Sequence, residues 1–235
     1  MSDGTLNPIN FVTGTLGSGK SGYATRTAFQ YLAAGKFVAL NYDLQPFRGK
    51  DKQGLYDPDH PDDGKPWWVS VRELRHRQLG AARRAPSGPD RWREYQDITS
   101  KCLRFESLED LWDYRLPGDS EKEDRGLLVV DEGALRANSR MWAERKAGNK
   151  SKGNHALSDL QFMLHIRKLG WTMLFLTQGF KMIDNQYRDL GPVEIKLRNF
   201  SKMTIPVLNV KFSSKPRFMA IHYMRENDFI MRREY

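Results

Sequence analysis

The sequence predicts an α/β domain whose mainly parallel central sheet is flanked by helices. Three observations carry that expectation. A short apolar run, "INFVT" (Ile9–Thr13), passes straight into a glycine-dense turn and then into a segment of helical period. Two more uninterrupted apolar runs, "RGLLVVDEG" (Arg125–Gly133) and "WTMLFLTQG" (Trp171–Gly179), end in polar side chains and glycine. Continuous apolar runs of strand length suit strands buried on both faces, as a parallel sheet requires. The 39% hydrophobic content can fill a core, and 235 residues suit one domain over 1–235 with an insertion.

After the glycine turn, "KSGYATRTAFQYLAAG" changes period. Tyr23, Thr27 and Tyr31, with Ala24, Ala28 and Leu32, form one helical face, and Gly35 stands where a left-handed helix end is expected. "KFVALNYDL" (Lys36–Leu44) returns to a strand, so the segment forms a right-handed βαβ unit with parallel strands. Residues 45–100 differ. "PFRGKDKQGLYDPDHPDDGKPWW" is rich in proline, glycine and charge and predicts loop, with Trp67 and Trp68 as core or interface anchors. "VSVRELRHRQLGAARR" (Val69–Arg84) predicts a basic helix carrying Arg72, Arg75, Arg77, Arg83 and Arg84. The region is expected to be a basic insertion in the α/β core. Its arginines form either a solvated helix face or a contact for nucleic acid or a partner.

"CLRFES" predicts a short strand, and Ser107 with Asp110 three residues on marks an N-cap. "HALSDLQFMLHIRKLG" (His155–Gly170) predicts a helix that buries Leu157, Leu160, Phe162, Leu164 and Leu169 and stops at Gly170. His165 on it is expected to be a core or interface side chain. "VEIKL", "IPVLNVKF" and "RFMAIHYM" predict C-terminal strands, with Pro206 pointing to an edge.

The formal net charge of +9 fits either a solvated basic surface or a polyanion partner: DNA, RNA or an anionic membrane face. Cys102 is the single cysteine, so no intramolecular disulfide forms and a thiol-rich zinc site is excluded. The first residues lack the basic-then-apolar pattern of a leader, and no run reaches the ~18 apolar residues of a membrane span.

Gly14-Thr15-Leu16-Gly17-Ser18-Gly19-Lys20-Ser21 fits G-x-x-x-x-G-K-[ST], the phosphate-binding P-loop. Glycines let successive backbone N–H groups turn inward around a phosphate, and the helix N-terminus adds its positive end. Lys20 can reach the β- and γ-phosphates of ATP, and the Ser21 hydroxyl can ligate Mg²⁺. Asp131 ends a buried strand, where a carboxylate can contact Mg²⁺ through its water shell, and Glu132 is placed to polarise an attacking water. Gln178 ends "MLFLTQ". It reaches the γ-phosphate region if that strand lies beside the P-loop strand. Arg188 in "NQYRDL" and Arg140 in "NSRMW" are candidates to act in trans on a neighbouring subunit's phosphate.

With those residues in hand, "FVTGTLGSGKSGYATRTAFQYLAAGKFVALNYDL" resembles the start of zonula occludens toxin-like proteins, the assembly ATPases of filamentous phages within the FtsK–HerA superfamily of P-loop motors. "LLVVDEGALRANSRMW" is similar to the family's Walker B strand with its downstream arginine. "HIRKLGWTMLFLTQGFKMIDNQYRDL" is similar to its helix, glycine, strand, glutamine and arginine run. The resemblance covers the first 45 residues and then about 125 to 200. It implies a Walker A site at Lys20 and Ser21, a Walker B pair at Asp131 and Glu132, a sensor at Gln178, and ATP with Mg²⁺. It also implies a Walker B strand not adjacent in sequence to the P-loop strand, and self-association into a ring, commonly a hexamer. Filamentous-phage members commonly carry a membrane-spanning segment after the ATPase domain. Its absence here favours a relative of the superfamily's virus genome-packaging ATPases. The leading expectation is therefore a viral motor that moves or packages double- or single-stranded DNA with other virion assembly proteins, in the host cytoplasm or at a virion vertex. The alternative is a phage extrusion ATPase peripheral to the membrane. A small-molecule kinase is a third reading, against which the Asp131-Glu132 pair argues for water activation.

Overall fold

The computed structural model describes residues 6–44, 67–80, 89–114, 116, 125–133, 159–200, 204–205, 210–211, 217–224 and 229–234. Strand β1 (Ile9–Thr13) is buried at every position, and the chain leaves it through the glycine turn into helix α1 (Lys20–Ala33). The helix ends as the sequence predicts. Gly35 has φ +77, its N–H bonds Leu32 O, and the Lys36 N–H bonds Tyr31 O, which closes the last turn in a Schellman motif. Strand β2 (Val38–Leu40) follows, and then helices α2 (Trp67–Leu79) and α3 (Pro89–Ser100). Strand β3 (Cys102–Arg104) leads to a 3₁₀ turn at Leu108–Leu111, whose N-cap Ser107 and Asp110 form a reciprocal capping box.

Strand β4 (Gly126–Val130) precedes helix α4, of which 159–165 are described, and strand β5 (Trp171–Thr177). A 3₁₀ turn (Phe180–Met182) and the short helix α5 (Asn185–Arg188) lead to β6 (Val193–Asn199). Strands β7 (Thr204–Ile205) and β8 (Val210–Lys211) pair with each other in a separate ribbon, and β9 (Phe218–Met224) and β10 (Phe229–Glu234) complete the chain's main sheet.

The main sheet has eight strands in the order β10-β9-β6-β1-β5-β4-β2-β3. From β6 to β3 every pairing is parallel, and β9 and β10 join antiparallel beyond β6. The fold is thus the mainly parallel α/β architecture that the apolar runs predict. The P-loop strand β1 is central, between β5 and β6, and β5 separates it from β4. β1 and β5 stay in register to their ends, with Thr13 opposite Thr177. The ends that carry polar side chains therefore meet along one edge, where ligands of open α/β sheets bind.

One layer of the core joins α1 and α2 to the sheet, through Ala24, Ala28, Leu32, Trp68, Val71, Val129 and Leu176. The other joins α4, through Phe162, Met163 and Ile166, to Phe11, Val130 and Phe175. One expectation for α4 is corrected here and another in part. Leu164 is 58% exposed, because the face toward the sheet runs through Phe162, Met163 and Ile166. His165 is exposed on the same outward side, beside the Trp112 ring, so it is not a core side chain.

The predicted basic helix runs over Trp67–Leu79, and Trp68 is 1% exposed, in keeping with its reading as an anchor. Its arginines do not share one face. Arg75 donates to Ala33 O at 3.2 Å, to Leu32 O at 3.0 Å and to Asp97 Oδ2 at 2.9 Å. It satisfies carbonyls at the C-terminus of α1 while tying α2 to α3. Arg72 lies over the Trp68 ring, and Arg77 is exposed. Arg83 and Arg84 fall outside the described residues. Burial pushes the Asp97 carboxyl up, but hydrogen bonds from Lys101 and Arg75 outweigh it and hold the group below its ordinary range.

Arg75→Ala is therefore expected to destabilise the fold by about 2 kcal/mol in urea unfolding, and Arg77→Ala to stay within about 0.5 kcal/mol. Asp97's contribution is full above its ordinary pKa of 3.8 and is lost as pH falls through the depressed folded value. The gap between wild type and Arg75→Ala narrows over that acid range.

Candidate nucleotide site

The turn from Gly14 to Ser21 is a left-handed glycine cradle. Gly14, Gly17 and Gly19 have φ of 156, 73 and 94. A β-carbon at Gly14 would collide with Ser18 Oγ and lie 2.9 Å from Leu197 O, and one at Gly19 would lie 2.6 Å from the Phe218 ring. Both glycines are therefore required by space as well as by conformation. The loop is closed by a bond from Ser18 N to Thr15 O, and Tyr23 N starts α1 on Gly19 O. Asn199, the last residue of β6, donates from Nδ2 to Gly17 O at 3.1 Å and anchors the cradle from the neighbouring strand. Leu16 stands 80% exposed at the tip. Among the described residues the buried Ser18 hydroxyl has no hydrogen-bond partner.

Lys20 Nζ curls back over this loop, donating to Gly14 O at 2.8 Å and to Thr15 O at 3.3 Å. Partial burial holds its ammonium below the usual lysine range, and the Asp131 carboxylate pulls the other way. Ser21 Oγ donates to Asp131 Oδ2 at 2.9 Å, so the first turn of α1 and the end of β4 meet directly.

Asp131 is held from behind by a residue that the sequence reading missed. Asn41, just after β2, accepts from Asp131 N at 2.7 Å and donates to Asp131 O at 3.0 Å. No local signal marks Asn41; its role follows from β2 pairing with β4. Asp131 Oδ1 in turn accepts from Glu132 N at 2.8 Å. Glu132 has φ +54, the one left-handed non-glycine among the described residues. Gly133 follows against the Phe175 ring, where a β-carbon would clash. Left-handed backbone in a side-chain-bearing residue costs energy and is found where surrounding structure over-determines it, often at functional sites. Tyr42 lies nearby, its phenol pushed up to about 12 by burial and bonded to Thr25 Oγ1 at 3.0 Å.

The fit of a magnesium-bound triphosphate can be judged from these donors. The cradle presents backbone amides, a lysine and the helix N-terminus to anionic oxygens, which matches phosphate chemistry. Ser21 Oγ and Asp131 form a converging oxygen pair suited to a hard cation. The residues fit both groups. Gln178 is exposed at the end of β5, next to the P-loop strand in the parallel pairing on which its sensor reading was conditional. Arg188 on α5 is partly buried, its guanidinium over the Phe180 ring of its own chain. Arg140 lies outside the described residues. None of these details marks a dedicated metal cluster; among the described residues no group of three or more His, Cys, Asp or Glu side chains gathers.

A protein-family model described as Zonular occludens toxin (Zot) matches residues 8–222. The Gene 1 protein of Enterobacteria phage fd is 28% identical over 207 residues, 87% of this chain and 46% of that protein. The chain thus spans less than half the length of the curated relatives it matches. Among solved structures, the N-terminal domain of zonular occludens toxin from Neisseria meningitidis is similar at a TM-score of 0.42 and 16% identity, covering 93% of this chain and 84% of that one. The genome packaging NTPase B204 of Sulfolobus turreted icosahedral virus 2, in complex with ATP-gammaS, is similar at 0.45 and 15%, covering 98% of both chains.

Replacing Glu132 with glycine releases the left-handed strain. Glu132→Gly is expected to raise stability by up to about 1 kcal/mol in chemical denaturation, since the relieved backbone cost outweighs the added freedom of the unfolded chain. A loss of stability would show that the Glu132 side chain, and not its backbone, is what the fold holds in place.

Proposed function

This chain belongs to the Zonular occludens toxin family, and on that premise we propose that it is an ATP-hydrolysing phage-assembly ATPase whose site lies between the P-loop and the end of β4. The observation that carries the reading is the direct bond from Ser21 Oγ to Asp131 at the meeting of those two elements. In it, the amides of Gly14–Ser21 cradle the β-phosphate and Lys20 swings from its loop carbonyls to the β- and γ-phosphates. Ser21 Oγ and Asp131 would hold Mg²⁺, which when bound would supply charge neutralisation at the phosphate oxygens. Glu132, exposed on its left-handed backbone, takes a proton from the water that attacks the γ-phosphate. Gln178, on the strand between β1 and β4, senses whether the γ-phosphate is present. Asn41 is a positioning residue that fixes the peptide carrying Asp131.

The choice between assembly and packaging turns on the relatives. Sequence alone ranked packaging first because no apolar span follows the ATPase segment. Among the described residues no helix is long and apolar enough to cross a membrane. That observation loses its weight, because the Gene 1 relatives are more than twice as long as the part this chain matches. Family membership favours an assembly and extrusion role, in which the chain self-associates into a ring, with Arg188 or Arg140 completing a neighbour's site. The net charge of +9 keeps a DNA-driven motor as the second reading.

Phosphate release by purified protein, with and without double- or single-stranded DNA, tests both. Lys20→Ala and Glu132→Gln are each expected to lower turnover by about a hundredfold or more, Glu132→Gln while still binding ATP. Turnover unchanged in Glu132→Gln would remove it as the base. The assembly reading expects release that DNA leaves unaltered. Stimulation by DNA, lost steeply as salt rises, would install the motor reading instead.

A further inference from the structure

Phe218 opens β9 and is 44% exposed, while Met219, Ala220, Ile221 and His222 after it are buried. An isolated exposed aromatic means little on its own. Its position is what matters. In the β6–β9 pairing Phe218 stands opposite Asn199, the residue whose amide grips Gly17 O. The ring itself lies on the backbone of Gly19, close enough that a β-carbon there would come within 2.6, 2.9 and 3.2 Å of three ring carbons. One glycine thus serves the phosphate cradle on one side and receives an aromatic face on the other.

The direction of a nucleotide across the loop follows from the sheet order. Asp131 and Glu132 end β4, which lies on the β5 side of β1. A phosphate chain whose last phosphate meets those acids leaves the loop toward the opposite side, where β6 and β9 stand. β9 is two strand spacings from β1, about 10 Å, within reach of a nucleoside attached to phosphates in the cradle.

We propose that the ring of Phe218 is the seat on which the nucleotide's base stacks, with Asn199 fixing the loop beneath it. This rests on the P-loop reading of the site. An aromatic face accepts any base, so the seat adds affinity without choosing between adenine and guanine.

Titration of the full chain with ATP, GTP and inorganic tripolyphosphate, each with magnesium, tests the seat. Phe218→Ala is expected to weaken ATP and GTP alike by about tenfold and to leave tripolyphosphate within about twofold. Phe218→Leu, which keeps apolar bulk against Gly19, should move affinities in the same direction, and Phe218→Trp should bind the nucleotides at least as tightly as wild type. Nucleotide affinity unchanged in both Phe218→Ala and Phe218→Leu would overturn the proposal. So would an equal loss for tripolyphosphate, since the ring would then only prop the loop. Lys20→Ala separates the two levels: it should weaken all three ligands, and if it weakens none, the P-loop reading fails and the base seat falls with it.

Discussion

The structure depends on the place where β1 stops. At Thr13 the backbone leaves a strand that is buried on both faces and enters a turn whose positive-φ positions are all glycine, and within a few residues it is helical again. The start of the turn is fixed from both neighbouring strands: Thr13 is held in register with Thr177 on one side, and its hydroxyl donates to Glu194 Oε1 at 2.5 Å on the other. Backbone amides in a turn of this kind lie outside the strand and helix ladders, and that is what lets ordinary backbone form a phosphate cradle. The parallel pairing of β1 with both neighbours then brings the side chains that end β5, β4 and β6 to the same edge of the sheet.

That division explains what could be read from the chain and what could not. The glycine turn, α1 with its Gly35 stop, and the apolar strands ending in Asp131 and Gln178 are local patterns, each decided by residues within one turn or strand of one another. They were legible because burial on both faces leaves a continuous apolar run, and left-handed backbone leaves a glycine. Asn41, Asn199 and Phe218 were not, since each acts through a strand pairing that joins distant parts of the chain. Leu164 was misplaced for a smaller reason of the same kind. In α4 the apolar side chains lie nearly all round, and only the packing against Phe175 and Val130 selects which of them face the sheet. The arginines of α2 looked like one basic group because they crowd one segment, whereas in three dimensions Arg75 turns inward to the carbonyls of α1.

Glu132 shows how the acidic end of β4 is built. A left-handed glutamate does not persist unless its neighbours leave it no alternative. The Asn41 amide holds the Asp131 peptide by both its N–H and its carbonyl, the Asp131 carboxylate captures the Glu132 N–H, and Gly133 is pressed against Phe175. Each of these contacts fixes backbone rather than side chain. The Glu132 side chain is left exposed on a backbone that its neighbours hold in place.

The sheet is asymmetric about β1, and the asymmetry separates two tasks. Toward β5 and β4 the strands are parallel, fully buried and capped by acids and an amide, an arrangement suited to the end of a phosphate chain where charge and water must be controlled. Toward β6, β9 and β10 the sheet turns antiparallel beyond β6, and β6 itself alternates buried with more exposed residues. Reversal of strand direction brings the start of β9, not its end, to the ligand edge, and so places Phe218 beside Asn199. A purely parallel continuation would have needed a crossover helix there and would have covered the rim of the loop with it. The antiparallel strands extend the sheet while keeping that rim for a flat aromatic face, which is the surface a nucleoside needs and a phosphate does not.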